Sequence, residues 1–226
     1  SALNKLELVF NVGIDIGNNC VNVTLDDVIN SSSIKMLNYD RGGDDGYSIL
    51  SAFHKSLRGS DADAAIHYLA RLIKAGDLQS ITRRLLCVAS EDVGLAVPQA
   101  ITITEACVSA ALQLGLPEAR IPLAQATVYL AQCPKSNSVA NAIDMALYDL
   151  DNIETGDIPL HLKDAHYASA KKLGRGVDYL YPHDFENHYV KQQYLPDAIK
   201  NKKYYIHGKN KNESAFKNYW DVIKNK

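Results

Sequence analysis

The stretch Asp61-Ala62-Asp63-Ala64-Ala65-Ile66-His67-Tyr68-Leu69-Ala70-Arg71-Leu72-Ile73-Lys74-Ala75-Gly76 decides the fold class. Ala65, Tyr68, Leu69, Leu72 and Ile73 recur at the spacing of one face of an α-helix, which buries an apolar stripe while the backbone satisfies itself. Asp61 stands where a carboxylate can accept from a free amide of the first turn, and Gly76 stands where the chain leaves the helix.

The same pattern repeats outward from this stretch. Residues 78–93 predict a second helix, with Leu78, Ile81, Leu85, Val88 and Ala89 on one side and Arg83, Arg84 and Glu91 mostly on the other. A third begins at Pro98, a favourable first-turn residue, and ends at Gly115. Residues 118–132 form a strongly apolar fourth that Pro134 stops; Ser136 or Ser138 then caps a fifth, running to about Asn152 through Val139, Ile143, Leu147 and Leu150. Short links make these helices antiparallel neighbours. On the other side, residues 46–59 read as a helix behind the glycine-rich link Asp40-Arg41-Gly42-Gly43-Asp44-Asp45-Gly46, which marks a domain boundary. The first 37 residues are then a small unit of their own, with a short helix at each end.

After Asn152 the character changes. Pro159, Gly174, Gly176, Pro182 and Pro196 interrupt a region rich in tyrosine and histidine, leaving helices only at about 164–173 and 213–224. Such a segment has no core of its own, so ordering it requires contact with the helical body, for which tyrosines offer large apolar surfaces.

Composition fits a globular protein: 226 residues, 46% hydrophobic and 22% charged, enough for one ordinary domain or two small ones. No stretch approaches the ~18 to 20 apolar residues of a membrane span, and the first residues, helical in period, do not resemble a signal peptide, which places the chain in the cytoplasm. Cys20, Cys87, Cys107 and Cys133 are too scattered for a disulfide framework or a zinc site, and three of them fall in apolar helical patterns. The net charge of -2 conceals an asymmetry, since residues 200–226 hold eight lysines against Glu213 and Asp221. In this tail Lys200, Lys202, Lys203, Lys209 and Lys211 interleave with Tyr204 and Tyr205, a pattern suited to phosphate contact and base stacking.

A phosphate-binding loop needs a glycine-rich turn ending in Gly-Lys-Ser/Thr, whose amides, lysine and hydroxyl surround phosphates and magnesium. The chain has none: Gly208-Lys209 is followed by Asn210, and Gly174-Arg175-Gly176 is too short. His183-Asp184 is similar to the paired metal ligand of helical phosphohydrolases, but Pro182 puts it in a loop, and His54, His161 and His166 share no two-ligand helical spacing. Asp44-Asp45 reads as a solvated turn, and Glu91-Asp92 as partners for Arg83, Arg84 or a neighbouring helix. The residues by themselves therefore specify a helical domain with a basic, aromatic-rich tail and no catalytic constellation.

Several blocks carry a resemblance. Ser48-Ile49-Leu50-Ser51-Ala52-Phe53-His54-Lys55-Ser56-Leu57-Arg58-Gly59-Ser60-Asp61, Arg83-Arg84-Leu85, Ala89-Ser90-Glu91-Asp92-Val93-Gly94-Leu95-Ala96, Ala124-Gln125-Ala126-Thr127-Val128-Tyr129-Leu130-Ala131 and Pro134-Lys135-Ser136-Asn137 follow one another as in the carboxy-terminal region of the RarA/MgsA family of AAA+ ATPases. Pro159-Leu160-His161-Leu162, Tyr181-Pro182-His183-Asp184 and Gln193-Tyr194-Leu195-Pro196 extend the match, while Lys163-Asp164 and His166-Tyr167 depart from it. Ala2-Leu3-Asn4-Lys5-Leu6-Glu7 resembles the family's lid subdomain just beyond the nucleotide-sensing arginine.

The resemblance implies an all-α fold: residues 1–38 a remnant of the AAA+ lid, and residues 39–226 a helical bundle similar to the clamp-loader collar, with an irregular C-terminal segment. It implies that the ATPase core, with its ATP and Mg, belongs to the full-length protein and not to this fragment. It further implies a homotetramer in the cytoplasm, at the nucleoid, that binds DNA and the single-stranded DNA-binding protein in DNA replication, repair and recombination. Helix faces rich in alanine, at Ala106, Ala110 and Ala111, suit close packing within or between subunits. The competing reading is a stand-alone metal-dependent phosphohydrolase using His183 and Asp184.

Overall fold

The computed structural model describes residues 14–17, 20–24, 44–164 and 175–225. The chain divides into two compact units between Ile49 and Leu50. In the first, β1 (Ile14–Gly17) and β2 (Cys20–Asn22) pair antiparallel, with Ile14 opposite Asn22 and Asp15 opposite Val21. The β-branched Ile14, Ile16 and Val21 favour extended backbone, but runs of four and three residues are too short for a period to register in the sequence. The short helices expected at either end of the first 37 residues fall outside the described residues.

The second unit is helical. α1 (Asp44–Arg58) crosses the division, and α2 (Ala62–Lys74), α3 (Leu78–Val88), α4 (Ala100–Leu114), α5 (Arg120–Gln132) and α6 (Ser138–Asn152) follow through short links. After an irregular segment of isolated 3-10 turns, α7 (Lys211–Lys224) completes the described chain. The all-α expectation holds for this unit. Asp61 caps α2 by accepting from the Ala64 amide at 2.9 Å, and Asp77 caps α3 by accepting from Ser80 at 3.2 Å. The helix expected at about 164–173 lies outside the described residues apart from Asp164. No helix among the described residues is long and apolar enough to cross a membrane.

α5 packs against α2, α3 and α4, and α4 also against α3. Phe53 and Leu57 of α1, Leu72 of α2, Ile81 and Leu85 of α3, and Leu123 and Leu130 of α5 are completely buried. Each such side chain contributes roughly 1.5–3 kcal/mol through removal from water, which makes α1 to α5 the stable body of the protein. Cys107 and Cys133 are buried free thiols within this body.

Two helices depart from the expected pattern. The helix read as 78–93 is α-helical only to Val88; a π-helical turn, Ala89–Val93, completes it. α6 is inverted: Val139, Ile143, Leu147 and Leu150 are 42 to 64% exposed, whereas the residues it buries are Ser138 and Asp149. Neither Ser136 nor Ser138 caps α6 as expected, because the residue in the cap position is Asn137, without a side-chain bond, and both serine hydroxyls point elsewhere.

They point to Glu213, a completely buried carboxylate in the first turn of α7. Ser136 Oγ donates to Oε2 at 2.5 Å and Ser138 Oγ to Oε1 at 2.5 Å. The Gly208 amide at 3.0 Å and the Tyr205 hydroxyl at 2.9 Å donate to Oε1, and Asn210 Nδ2 donates to Oε2. Asn210 is also the N-cap of α7, accepting from the Glu213 amide at 3.0 Å. Burial alone pushes the Glu213 carboxyl up, but these donors outweigh it and hold the group at about 2, below its ordinary 4.5. Burial and the bond to Glu213 push the Tyr205 phenol to about 12.

At the other end of α6, Asp149 accepts from Lys202 Nζ at 2.8 Å and from the Tyr204 hydroxyl at 2.9 Å. The Lys202 bond holds the Asp149 carboxyl below the usual carboxylate range. The irregular segment is thus tied to both ends of α6 by polar groups, with Ile199 its buried apolar contact.

Because the Glu213 pKa is lowered on folding, its contribution is fully present above pH 4.5 and is lost as the pH falls towards 2. Glu213→Gln should therefore reduce stability at pH 7 by roughly 2–4 kcal/mol. In urea melts at a series of pH values, the gap between the wild-type chain and this variant should close between pH 4.5 and about 2; a gap independent of pH would show that the charge is not what holds α7.

Candidate functional site

Three separated stretches of sequence meet at one cavity of about 440 Å³. Arg58 comes from the last turn of α1, Glu91 and Asp92 from the π-helical turn, Lys135, Ser136 and Asn137 from the link before α6, and Ala140, Asn141 and Asp144 from α6 itself. The π-helical turn is wider than an α turn and re-aims Glu91 and Asp92 towards α1. Gly94 follows it with φ 47°, and a Cβ there would stand 2.8 Å from the Ser136 carbonyl oxygen. The Ser136 amide in turn donates to the Asp92 carbonyl at 2.7 Å, so the two links run back to back and only glycine fits at 94.

Arg58 is the hub of the cavity wall. Its Nε donates to Asp92 Oδ1, and its Nη2 donates to Glu91 Oε1 at 2.9 Å and lies 2.9 Å from His54 Nε2. His54 Nε2 is 3.0 Å from Asp92 Oδ2, and its Nδ1 is 3.4 Å from Arg84 Nη1. The tautomer with the proton on Nε2 donates to Asp92 and leaves Nδ1 to accept from Arg84, and the Arg58 Nη2 approach to Nε2 is then a contact without a hydrogen bond. Asp92 and His54 are buried while Arg58 is half exposed, and the bond to Asp92 holds the guanidinium above its ordinary pKa. The Cys87 thiol donates to Glu91 Oε2 at 3.1 Å; burial pushes its pKa up, which keeps it a donor rather than a thiolate nucleophile.

Lys135 has no donor left for a ligand. Its Nζ reaches the carbonyls of Leu130 at 3.0 Å, Ala131 at 3.2 Å and Cys133 at 2.6 Å, and Ser60 Oγ at 2.9 Å. An ammonium over the last carbonyls of α5 closes that helix and complements its dipole, and burial lowers the lysine's pKa. His54, Glu91 and Asp92 form the one group among the described residues whose ligand atoms all lie within 4.8 Å of one another. Arg58 takes one oxygen of each carboxylate and His54 and Cys87 take the others, so the group is built as an ion-paired joint between α1 and the π-helical turn after α3.

The remaining residues singled out in the sequence are dispersed. Lys55 and Arg83 are exposed. His161 Nε2 lies 2.8 Å from the Gln193 carbonyl and ties a loop. His183 packs its ring against Tyr181 and His188, with centroids 5.1 and 4.9 Å apart, and neither it nor Asp184 joins a metal-binding group among the described residues. Of the basic tail, Lys202, Tyr204 and Tyr205 bond inside the protein, whereas Lys200, Lys203, Lys209 and Lys211 are exposed. Gly208 does not fit a nucleotide phosphate: its amide faces the Glu213 carboxylate, and a Cβ there would lie 2.6 Å from Glu213 Oε2.

Sequence reasoning missed Ser60, Asn141, Asp144 and the two buried carboxylates Asp149 and Glu213. Only Glu213 left a local signal, the Asn210-Lys211-Asn212-Glu213 spacing of a capping box. Removing Arg58 leaves Asp92 buried beside His54 alone. Arg58→Ala should cost about 3 kcal/mol, and Arg58→Lys less, in denaturant melts; an unchanged midpoint for Arg58→Ala would refute the joint.

Residues 59–224 match the family described as MgsA AAA+ ATPase C terminal, and residues 1–58 match the AAA C-terminal domain family. The chain is 51% identical over 224 residues to replication-associated recombination protein A of Bacillus subtilis, covering 99% of this chain and 53% of that protein. It is 42% identical over 170 residues to the Escherichia coli K12 protein of the same name, covering 74% and 38%. It is 40% identical over 169 residues to the ATPase WRNIP1 of Dictyostelium discoideum, covering 74% and 19%. The chain thus spans about half or less of the length of these relatives; Arg58, Glu91, Asp92 and Lys135 to Asn137 of the cavity belong to the blocks that carry the resemblance, and all of its lining residues lie within the matched regions. On this coverage, the chain belongs to the MgsA AAA+ ATPase C-terminal family.

Proposed function

We propose that this chain is the oligomerisation and partner-binding region of an AAA+ ATPase that works at replication forks, and that it joins subunits into a homotetramer. The observation that carries the reading is the outward apolar stripe of α6, Val139, Ile143, Leu147 and Leu150, on a helix whose buried residues are polar. A row of exposed aliphatic side chains along a helix held on its other side has the character of a subunit interface. A second patch, with Leu112 and Leu114 of α4, Leu116 and Ile121, lies at the turn between α4 and α5. Two unlike patches on one chain permit two isologous interfaces, with which a dimer of dimers closes into a tetramer.

ATP and Mg would act on the full-length protein, as the AAA+ ATPase family suggests. The names of the relatives, which speak of replication-associated recombination, support a role in that process, in the cytoplasm and at the nucleoid. DNA and the acidic tail of the single-stranded DNA-binding protein are the partners that the basic tail suits. The phosphohydrolase reading finds no support, because His183 meets rings rather than ligands.

Light scattering behind a sizing column tests the oligomer. The wild-type chain at tens of micromolar should elute near four times its 24.9 kDa. Ile143→Asp with Leu147→Asp should shift it to the monomer mass at little cost in thermal midpoint, since both side chains are more than half exposed. A monomeric wild-type chain would sink the proposal.

A further inference from the structure

α7 is fastened by its first turn and little else. Glu213 is buried and Asn212 Nδ2 donates to the Ala96 carbonyl at 2.8 Å, but from Ala215 to Val222 every residue is exposed. Phe216, Tyr219 and Trp220 recur at three- and four-residue spacing and share one face, with exposures of 45, 57 and 36%. The Trp220 ring meets Tyr219 edge-on at 5.3 Å and Tyr189 at 6.0 Å. Lys224 Nζ stands 5.2 Å over the Trp220 ring and 5.8 Å over Tyr189. Lys217 follows on the same flank, paired with Asp221.

Two requirements of single-strand binding thus coincide: rings that present faces to bases, and ammonium groups beside them for phosphates. The charge supports a polyanion as occupant, since of the two carboxylates opposing eight lysines in residues 200–226, Glu213 is enclosed by its own donors. We infer that the Phe216–Tyr219–Trp220 face of α7, flanked by Lys217 and Lys224, is a stacking platform for single-stranded nucleic acid. This rests on the nucleic-acid part of the function proposed above and moves the contact away from Tyr204 and Tyr205, whose hydroxyls are engaged inside the protein. A phosphate drawn to Lys224 takes its place over the indole and brings the neighbouring base onto the rings.

Trp220 is the one tryptophan in the sequence, so its fluorescence reports on this face alone. The full chain would be titrated with a labelled thymidine oligonucleotide, following the label's anisotropy and the tryptophan emission together. Saturable quenching with the same midpoint as the anisotropy is expected. Phe216→Ala and Tyr219→Ala, which replace exposed side chains and keep the reporter, should each weaken binding about tenfold. Lys217→Gln with Lys224→Gln should lower the slope of log affinity against log salt by roughly one. Binding seen by anisotropy without quenching, or untouched by the ring variants, would overturn the platform while leaving nucleic-acid binding elsewhere on the tail intact. No binding by either signal would overturn both. Quenching by an acidic peptide, in the absence of oligonucleotide binding, would reassign the face to a protein partner and overturn the inference.

Discussion

A single carboxylate organises the C-terminal half of this protein. Glu213 is enclosed completely, yet it carries a charge that would be expensive to bury without partners. Its cost is offset by donors from four places in the chain: the serines before and at the start of α6, the Tyr205 hydroxyl, the backbone at Gly208, and the Asn210 cap of α7. A carboxylate at the amino ends of two helices also meets the positive end of both dipoles. Without it, neither α7 nor the strand of chain leading to it has enough buried apolar surface to stay in place.

The ion-paired joint at Arg58 serves the helical body in a similar way. There the π-helical turn gives up regular α geometry so that Glu91 and Asp92 reach α1, and Lys135 closes α5 from the same link that supplies Ser136 to Glu213. Residues 133–137 therefore connect the two polar centres. The blocks shared with the family converge here as the framework that holds α6 and α7 in position.

The helical body was legible in the sequence because its elements obey local rules. Asp61 caps, Gly76 stops, and Leu69, Leu72, Leu85 and Leu123 follow the helical period inward. α6 was read correctly as a helix, but its stripe points to solvent, since periodicity reveals that apolar residues share a face and not what covers it. Ser136 and Ser138 look like caps locally; their partner is more than seventy residues away, and no nearby residue announces it. Lys202, Tyr204 and Tyr205 belong to a basic, aromatic composition that suggests a binding surface, whereas long-range pairing with Asp149 and Glu213 decides where their polar ends lie. Resemblance to a family named the blocks without revealing that they meet.

Helices commonly find their roll angle by turning the greasiest side inward. α6 is held differently: Ser138 and Asp149, eleven positions apart and so on nearly the same side, are the two anchors, roughly 120° round the axis from the stripe. Directional bonds rather than oiliness fix its rotation. The stripe residues are therefore spare as far as folding is concerned, and mutation can reshape them to follow a changing partner without disturbing the scaffold behind them.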